Sequence, residues 1–197
     1  MSEILKKIFS IKNSKSKSGK VLTIFGAQFS IDFSKSCQKI IEKTPVVENR
    51  ILFANFTNKG FGCSPKYIAQ EIIKQNLPYE LLWIVKNPRK ERKNFPKEIK
   101  LIKDTFLNSI KAHASSKIWI SNHRKSNLCQ KGLIKKSGQI YFQTWHGMMP
   151  LKKIEKDAYP ENSSSERLAK IDSSNIDYLL SGAQRDNELF KRVFYGI

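Results

Sequence analysis

From Arg50 onward the hydrophobic positions fall into short apolar runs, separated by polar loops and by stretches whose apolar residues recur at helical spacing. RILFANF (50–56), ELLWIVK (80–86), EIKLI (98–102), KIWIS (117–121), QIYFQT (139–144) and IDYLLS (176–181) read as strands. Between them the pattern predicts helices over 65–75, opened by Pro65 in a first-turn position, and over 104–115, 162–174 and 184–194. Parallel neighbours need a crossover, and the usual crossover is a helix, so this alternation predicts an α/β fold. Its core is a Rossmann-like parallel sheet with helices on both faces.

The first fifty residues follow another pattern. Ile4, Leu5, Ile8 and Phe9 share one face of a possible short helix, with Lys6, Lys7 and Lys12 beside them. Such a segment suits an anionic membrane surface, or equally a chain end docked on the core. NSKSKSGK (13–20) is a polar, basic linker, and VLTIFGAQFSIDF (21–33) suits a small hairpin. The expected organisation is a basic amphipathic segment and linker over 1–20, a hairpin-like appendage over 21–48, and the Rossmann-like domain over 49–197.

A chain of 197 residues with 40% hydrophobic and 11% aromatic content has the apolar material for one core of ordinary size. The 36 Lys+Arg against 17 Asp+Glu give a net charge of +19, which calls for a polyanion, an anionic membrane or phosphorylated substrates nearby. The basic residues are scattered and form no zinc-finger, RNP-type or homeodomain pattern, so specific nucleic-acid recognition is not expected. Cys37, Cys63 and Cys129 lack CxxC spacing, and His113, His123 and His146 lack HExxH spacing. Neither a disulfide framework, a metal site nor a cofactor is expected. No apolar run approaches the roughly 20 residues of a membrane span.

In a doubly wound sheet, ligands bind beyond the carboxyl ends of the strands, so chemistry is sought there. The sharpest segment is Gln143-Thr144-Trp145-His146-Gly147 at the end of the fifth predicted strand. As a residue type, histidine suits removal of a proton from an attacking hydroxyl near neutral pH; the alternative is a histidine that merely ties down a loop. Lys152 and Lys153 follow as point charges for a phosphate or as solvated basic surface, and Asp157 as an orienting carboxylate or a turn cap. The loop after the first strand carries Gly60 and Gly62 ahead of a helix N-terminus, an arrangement that favours anions, though without GxGxxG or Walker spacing. Asn122, His123 and Arg124 stand at the rim after KIWIS. His113, inside a predicted helix, reads as a packing or surface residue.

Taken together, RILFANFTNKGFGCSPKYIAQEI, YELLWIVKNP, KIWISNHR, KKSGQIYFQTWHGMMPLKKIEKDA and IDYLLSGAQRDNELFKRVFYG resemble the CDP-glycerol:poly(glycerophosphate) glycerophosphotransferase family of teichoic acid and capsule synthesis, in order as well as in wording. QTWHG followed by P-L-K-K and an Asp is the most specific part. The resemblance implies the N-terminal domain of a GT-B transferase and a transfer of glycerol phosphate, or a related polyol phosphate, from a CDP-activated donor to a hydroxyl of a lipid-linked polymer, with release of CMP. It implies a peripheral protein on the cytoplasmic face of the bacterial membrane. His146 falls at the family's catalytic histidine, with Gly60, Gly62, Asn122, His123, Arg124, Thr144, Trp145, Gly147, Lys152, Lys153 and Asp157 as candidate substrate contacts. In the family the donor is held mainly by a C-terminal domain that these residues do not include. The expectation is therefore a truncated, split or fragmentary enzyme, inactive alone; the alternative is a remnant that binds membranes or polyanions. Met148 and Met149, where the family often has a small residue before Pro, bear on acceptor geometry.

Overall fold

The computed structural model describes residues 9–13, 19–24, 27–129, 131–147 and 152–196. Residues 1–8, which hold most of the expected amphipathic segment, and Met148–Leu151, which hold the Met-Met-Pro step, lie outside the described residues.

Strands β4 (Val47–Ala54), β5 (Glu80–Val85), β6 (Ile99–Lys103), β7 (Ser116–Ser121), β8 (Ile140–Gln143) and β9 (Tyr178–Leu179) form one sheet in the order β6-β5-β4-β7-β8-β9. Every neighbouring pair is parallel. Counted within this sheet the order is 3-2-1-4-5-6, the doubly wound arrangement in which the chain reverses direction beside its first strand. The expected fold class is the observed one. The connections are α2 (Cys63–Lys74), two short turns at Pro88–Asn94, α3 (Phe106–Ser115), a single turn at Ser126–Cys129, and α4 (Ser164–Ser173), with α5 (Gln184–Val193) after β9.

Period-two alternation along β4 divides the core in two. Leu52 faces one side with Leu82, Ile84, Trp119 and Tyr141, beneath Ile110 and Ala114 of α3. Ile51 and Phe53 face the other, with Leu81, Trp83, Val85 and Ile120, beneath Ala69 of α2. A strand covered on both faces has no polar side, which explains the continuous apolar runs of the sequence. Trp83 stacks on Phe53 with ring centroids 5.3 Å apart and meets Phe95 edge-on at 5.4 Å, filling the centre of the second layer.

The amino-terminal region differs from expectation in two respects. Phe9–Asn13 (β1) is a strand rather than the end of a helix, and pairs antiparallel with β2 (Gly19–Ile24), which pairs with β3 (Ala27–Asp32). Strands β2 and β3 form the expected hairpin, and β1, from the expected amphipathic segment, adds a third strand to it. Helix α1 (Phe33–Lys43) then belongs to the main core, because its Cys37 and Ile41 are buried against the layer headed by Leu52, and α1 packs on α3. Cys37, Ile40 and Ile41 carry that packing in a segment otherwise rich in Ser and Lys, so its apolar stripe is short.

Candidate active site

The chain direction reverses between β4 and β7, so their carboxyl ends border a crevice. The residue after each strand is an asparagine, and the two clasp. Asn122 Nδ2 donates to Asn55 Oδ1 at 2.7 Å, the backbone N–H of Phe56 donates to Asn122 Oδ1 at 2.9 Å, and Asn55 Nδ2 donates to Lys59 O at 3.1 Å. Both side chains are buried and saturated by protein partners. Gly62 completes the fit: a Cβ there would stand 3.2 Å from Asn55 Nδ2. Beyond Asn55 the backbone runs through Phe56, Thr57 and Asn58 with φ of 23°, 50° and 61°. Three consecutive non-glycine residues in left-handed or near-left-handed conformation cost roughly 1–3 kcal/mol each, and the asparagine clasp holds them there.

The β8 exit is built to turn one ring outward. Thr144 N–H donates to Ser121 O at 2.8 Å, extending the β7–β8 pairing, and Trp145 N–H donates to Gln143 Oε1 at 3.0 Å. Trp145 adopts φ +54°. Its indole is 5% exposed and packs edge-on against Phe194, centroids 5.0 Å apart, in a satellite core with Ile154, Phe190 and Val193. With Trp145 anchored inward, the exposed His146 ring is directed over the crevice. Its Nδ1 lies 2.7 Å from the Asn122 carbonyl oxygen, and Phe56 meets the ring edge-on at 5.4 Å. A carbonyl only accepts, so Nδ1 carries the hydrogen, and in the neutral ring Nε2 is the basic nitrogen.

The remaining candidates divide. Asn122, Thr144 and Trp145 are at most 5% exposed and hydrogen-bonded or packed within the protein, so they position His146 and do not reach into solvent. The Gly60 N–H is occupied by Glu91 Oε2 at 2.9 Å, a carboxylate of the chain itself in the place foreseen for a bound anion. Lys152, Lys153 and Asp157 line a different cavity of about 520 Å³ with Arg185, Glu188 and Arg192. Asp157 is paired there with Arg192 at 2.6 Å, which rules it out as the orienting group of His146; a backbone carbonyl has that part. Gly147 is half-buried, with open space around its Cα.

His123 and Arg124 flank the crevice on the far side of Asn122. The buried Ser121 hydroxyl donates to His123 O at 2.8 Å and accepts the His123 N–H at 3.2 Å, fixing the turn. Burial, with Lys125, His113 and His146 nearby, pushes the His123 ring down to about 2, so it is neutral. Arg124 Nη2 lies 3.1 Å from Glu155 Oε1 and is bonded to the Tyr159 hydroxyl. Glu155 Oε1 nonetheless has no aligned hydrogen bond, and burial raises this carboxyl while Arg124 opposes the rise.

Lys125 and Asp172, unremarked in the sequence, are gathered behind this turn with His113, which is the packing residue of the two alternatives. Lys125 is 4% exposed and is pushed down to about 8 by burial, with no carboxylate among the described residues inside ion-pair distance. Asp172 accepts the Lys125 N–H through Oδ1, leaves Oδ2 unpaired, and is raised to about 7 by burial. His113 is buried, with Nδ1 2.6 Å from Ser109 O and Nε2 unpartnered; burial and Lys125 lower it to about 3. Nothing in the local sequence signals their burial, which arises where α3, α4 and the β7 exit meet. No group of His, Cys, Asp and Glu among the described residues forms a metal-binding cluster, and Cys37, Cys63 and Cys129 are free thiols.

Comparison with known proteins places this geometry. The profile of a family described as CDP-Glycerol:Poly(glycerophosphate) glycerophosphotransferase matches residues 36–197. A teichoic acid poly(glycerol phosphate) polymerase of Staphylococcus epidermidis is 30% identical over 151 residues, covering 74% of this chain and 20% of that protein. One from Bacillus subtilis is 29% identical over 167 residues, covering 81% of this chain and 21% of that protein. The solved wall teichoic acid polymerase TagF superposes with a TM-score of 0.70 at 28% identity over 82% of this chain and 40% of that one. A variant of it soaked with CDPG gives 0.71 at 27% identity, over 83% and 40%. The chain thus spans about a fifth of the length of the first two relatives and two fifths of the solved polymerase.

Proposed function

Because the chain belongs to the CDP-glycerol:poly(glycerophosphate) glycerophosphotransferase family, we propose that it forms the acceptor wall of a polyol-phosphate transferase and supplies the general base, His146. The observation that carries this reading is the 2.7 Å contact between His146 Nδ1 and the Asn122 carbonyl, which leaves Nε2 basic at the exposed rim of the crevice. An acceptor hydroxyl bonded to Nε2 loses its proton to that nitrogen as its oxygen attacks the phosphorus of the CDP-activated polyol phosphate. One O–P bond forms, the P–O bond to CMP breaks, and the nucleotide leaves with the electron pair. Phosphoryl transfer asks mainly for alignment and charge neutralisation, so a fixed imidazole and nearby cations meet what this wall must supply.

The donor in this reading is CDP-glycerol or a related CDP-polyol. The CDPG soaked onto the solved polymerase supports the donor class. The acceptor is a lipid-linked polymer at the cytoplasmic face of the membrane, a setting supported by the net charge of +19; no helix among the described residues is long and apolar enough to cross a bilayer. The test is CMP release from CDP-glycerol with a lipid-linked glycerol phosphate acceptor, with the rest of a family polymerase supplied in trans. His146→Ala is expected to abolish release, and His146→Ala releasing CMP as fast as the unaltered chain would remove His146 from the mechanism. If neither chain releases CMP while both bind anionic vesicles in a salt-dependent way, the remnant reading is the correct one.

A further inference from the structure

Directly behind the His123 turn lies a cavity of about 290 Å³, bounded by Thr57 and Asn58 of the strained loop, Lys86 after β5, His113 of α3, and His123 to Lys125 after β7. It shares the 56–58 and 122–124 loops with the His146 crevice, and His146 is close enough to influence His123 electrostatically. Its volume is at the lower end of small-molecule sites, roughly 300–1,000 Å³, so it suits a unit smaller than a nucleotide.

The polar groups on its wall are of two complementary kinds. Lys125 is a buried ammonium with no ion-pair partner among the described residues, and Lys86 adds a second cation at the exposed side. A buried cation whose carboxylate neighbours, Asp172 and Asp104, favour its charge from outside ion-pair distance is incompletely compensated, so such a site gains when a ligand brings negative charge into contact. Facing these donors are two orphan acceptors. His113 Nε2 must be the unprotonated nitrogen, because Nδ1 is committed to the Ser109 carbonyl, and Asn58 Oδ1 is likewise buried without a partner. Unpaired buried acceptors call for hydroxyl donors. Inorganic phosphate would satisfy the lysines but lacks carbon-borne hydroxyls to reach both acceptors at once; a neutral polyol would satisfy the acceptors and leave the lysines without an anion. Asp104, exposed at the edge and accepting from Ser109 Oγ at 3.1 Å, disfavours ligands of high negative charge such as a diphosphate.

We infer that this cavity is a polyol-phosphate subsite, with Lys125 and Lys86 on the phosphate and His113 Nε2 and Asn58 Oδ1 on the hydroxyls. Resting on the transferase reading above, it seats a unit of the acceptor chain beside the base, so that a free hydroxyl is presented to His146 while the preceding phosphate is held.

The experiment is calorimetric titration of the whole chain with glycerol 3-phosphate, inorganic phosphate and glycerol at fixed ionic strength. Glycerol 3-phosphate is expected to bind saturably, at least tenfold more tightly than inorganic phosphate, with no detectable binding of glycerol. Lys125→Met is expected to weaken it at least tenfold. Lys86→Gln, at an exposed position where folding is not at stake, is expected to weaken it at least threefold, and His146→Ala to leave it within twofold. Equal affinity for inorganic phosphate overturns polyol recognition, and undiminished binding by both lysine variants overturns the site. Binding is read without donor or turnover, so the two readings fail separately: His146→Ala abolishing CMP release while glycerol 3-phosphate fails to bind removes the subsite and keeps the base.

Discussion

Replacing Asn122 by alanine tests the clasp that joins the two central strand exits. The side chain is fully buried and makes two hydrogen bonds, donating to Asn55 Oδ1 at 2.7 Å and accepting from Phe56 N–H at 2.9 Å. Truncation leaves that oxygen and that N–H orphaned in the interior, and each such group costs about 1–3 kcal/mol, so the expected destabilisation is about 3 kcal/mol. With an m-value of about 2 kcal/mol/M for urea, the unfolding midpoint falls by about 1.5 M. Asn55→Ala breaks the same bond from the other side, so the double variant is expected to be less destabilised than the sum of the singles by about 1 kcal/mol. The carbonyl that fixes His146 belongs to the backbone and survives the substitution, but the Phe56–Asn58 loop loses its tether. Turnover is therefore expected to fall at unchanged donor KM. A loss below about 0.5 kcal/mol, or strict additivity, would refute the claim that the asparagines act as one unit.

Three further outcomes follow from the geometry. Stability is expected to fall on acidification between about pH 6.5 and 4: His113 and His123, both lowered in the fold, take up protons only on unfolding, while Asp172, raised to about 7, opposes with one proton in the same window. The net is about one proton, or ~1.4 kcal/mol per pH unit, and Asp172→Asn should steepen urea-derived stability toward about two protons. Trp145→Ala removes the anchor against Phe194 and should cost about 3 kcal/mol or more in thermal or urea unfolding, with a loss of turnover larger than that of a surface variant. Arg192→Ala breaks a largely exposed pair with Asp157 and should change stability by at most about 1 kcal/mol and leave CMP release intact, since His146 does not line that cavity.

The sheet was readable because β4, β5 and β7 are buried on both faces and so appear as continuous apolar runs with helical segments between them. Helix α1 was not, because its core-facing stripe, Cys37, Ile40 and Ile41, is short. The position of His146, after a strand and next to a glycine, was legible. The groups that position it were not: Asn55 and Asn122 are 67 residues apart in the chain and meet only because β4 and β7 are neighbours. His113 was read as a packing or surface residue and is buried, whereas Lys125 drew no notice, since burial of a charged group is a property of the assembled layers and leaves no local signature. The lysine pair at 152 and 153 lines a cavity with Asp157, Arg185, Glu188 and Arg192, a grouping of distant residues that the sequence does not display.

Nitrogen-15 NMR of imidazole-labelled protein reads the protonation geometry of the His146 ring directly. At a pH where the His146 ring is neutral, the prediction is a protonated Nδ1 and a bare Nε2, with a hydrogen-bond coupling from Nδ1–H to the Asn122 carbonyl. A His146 ring found with its hydrogen on Nε2, or exchanging freely between the two forms, would contradict it, because the nitrogen facing the acceptor hydroxyl would then have no fixed lone pair with which to take the proton.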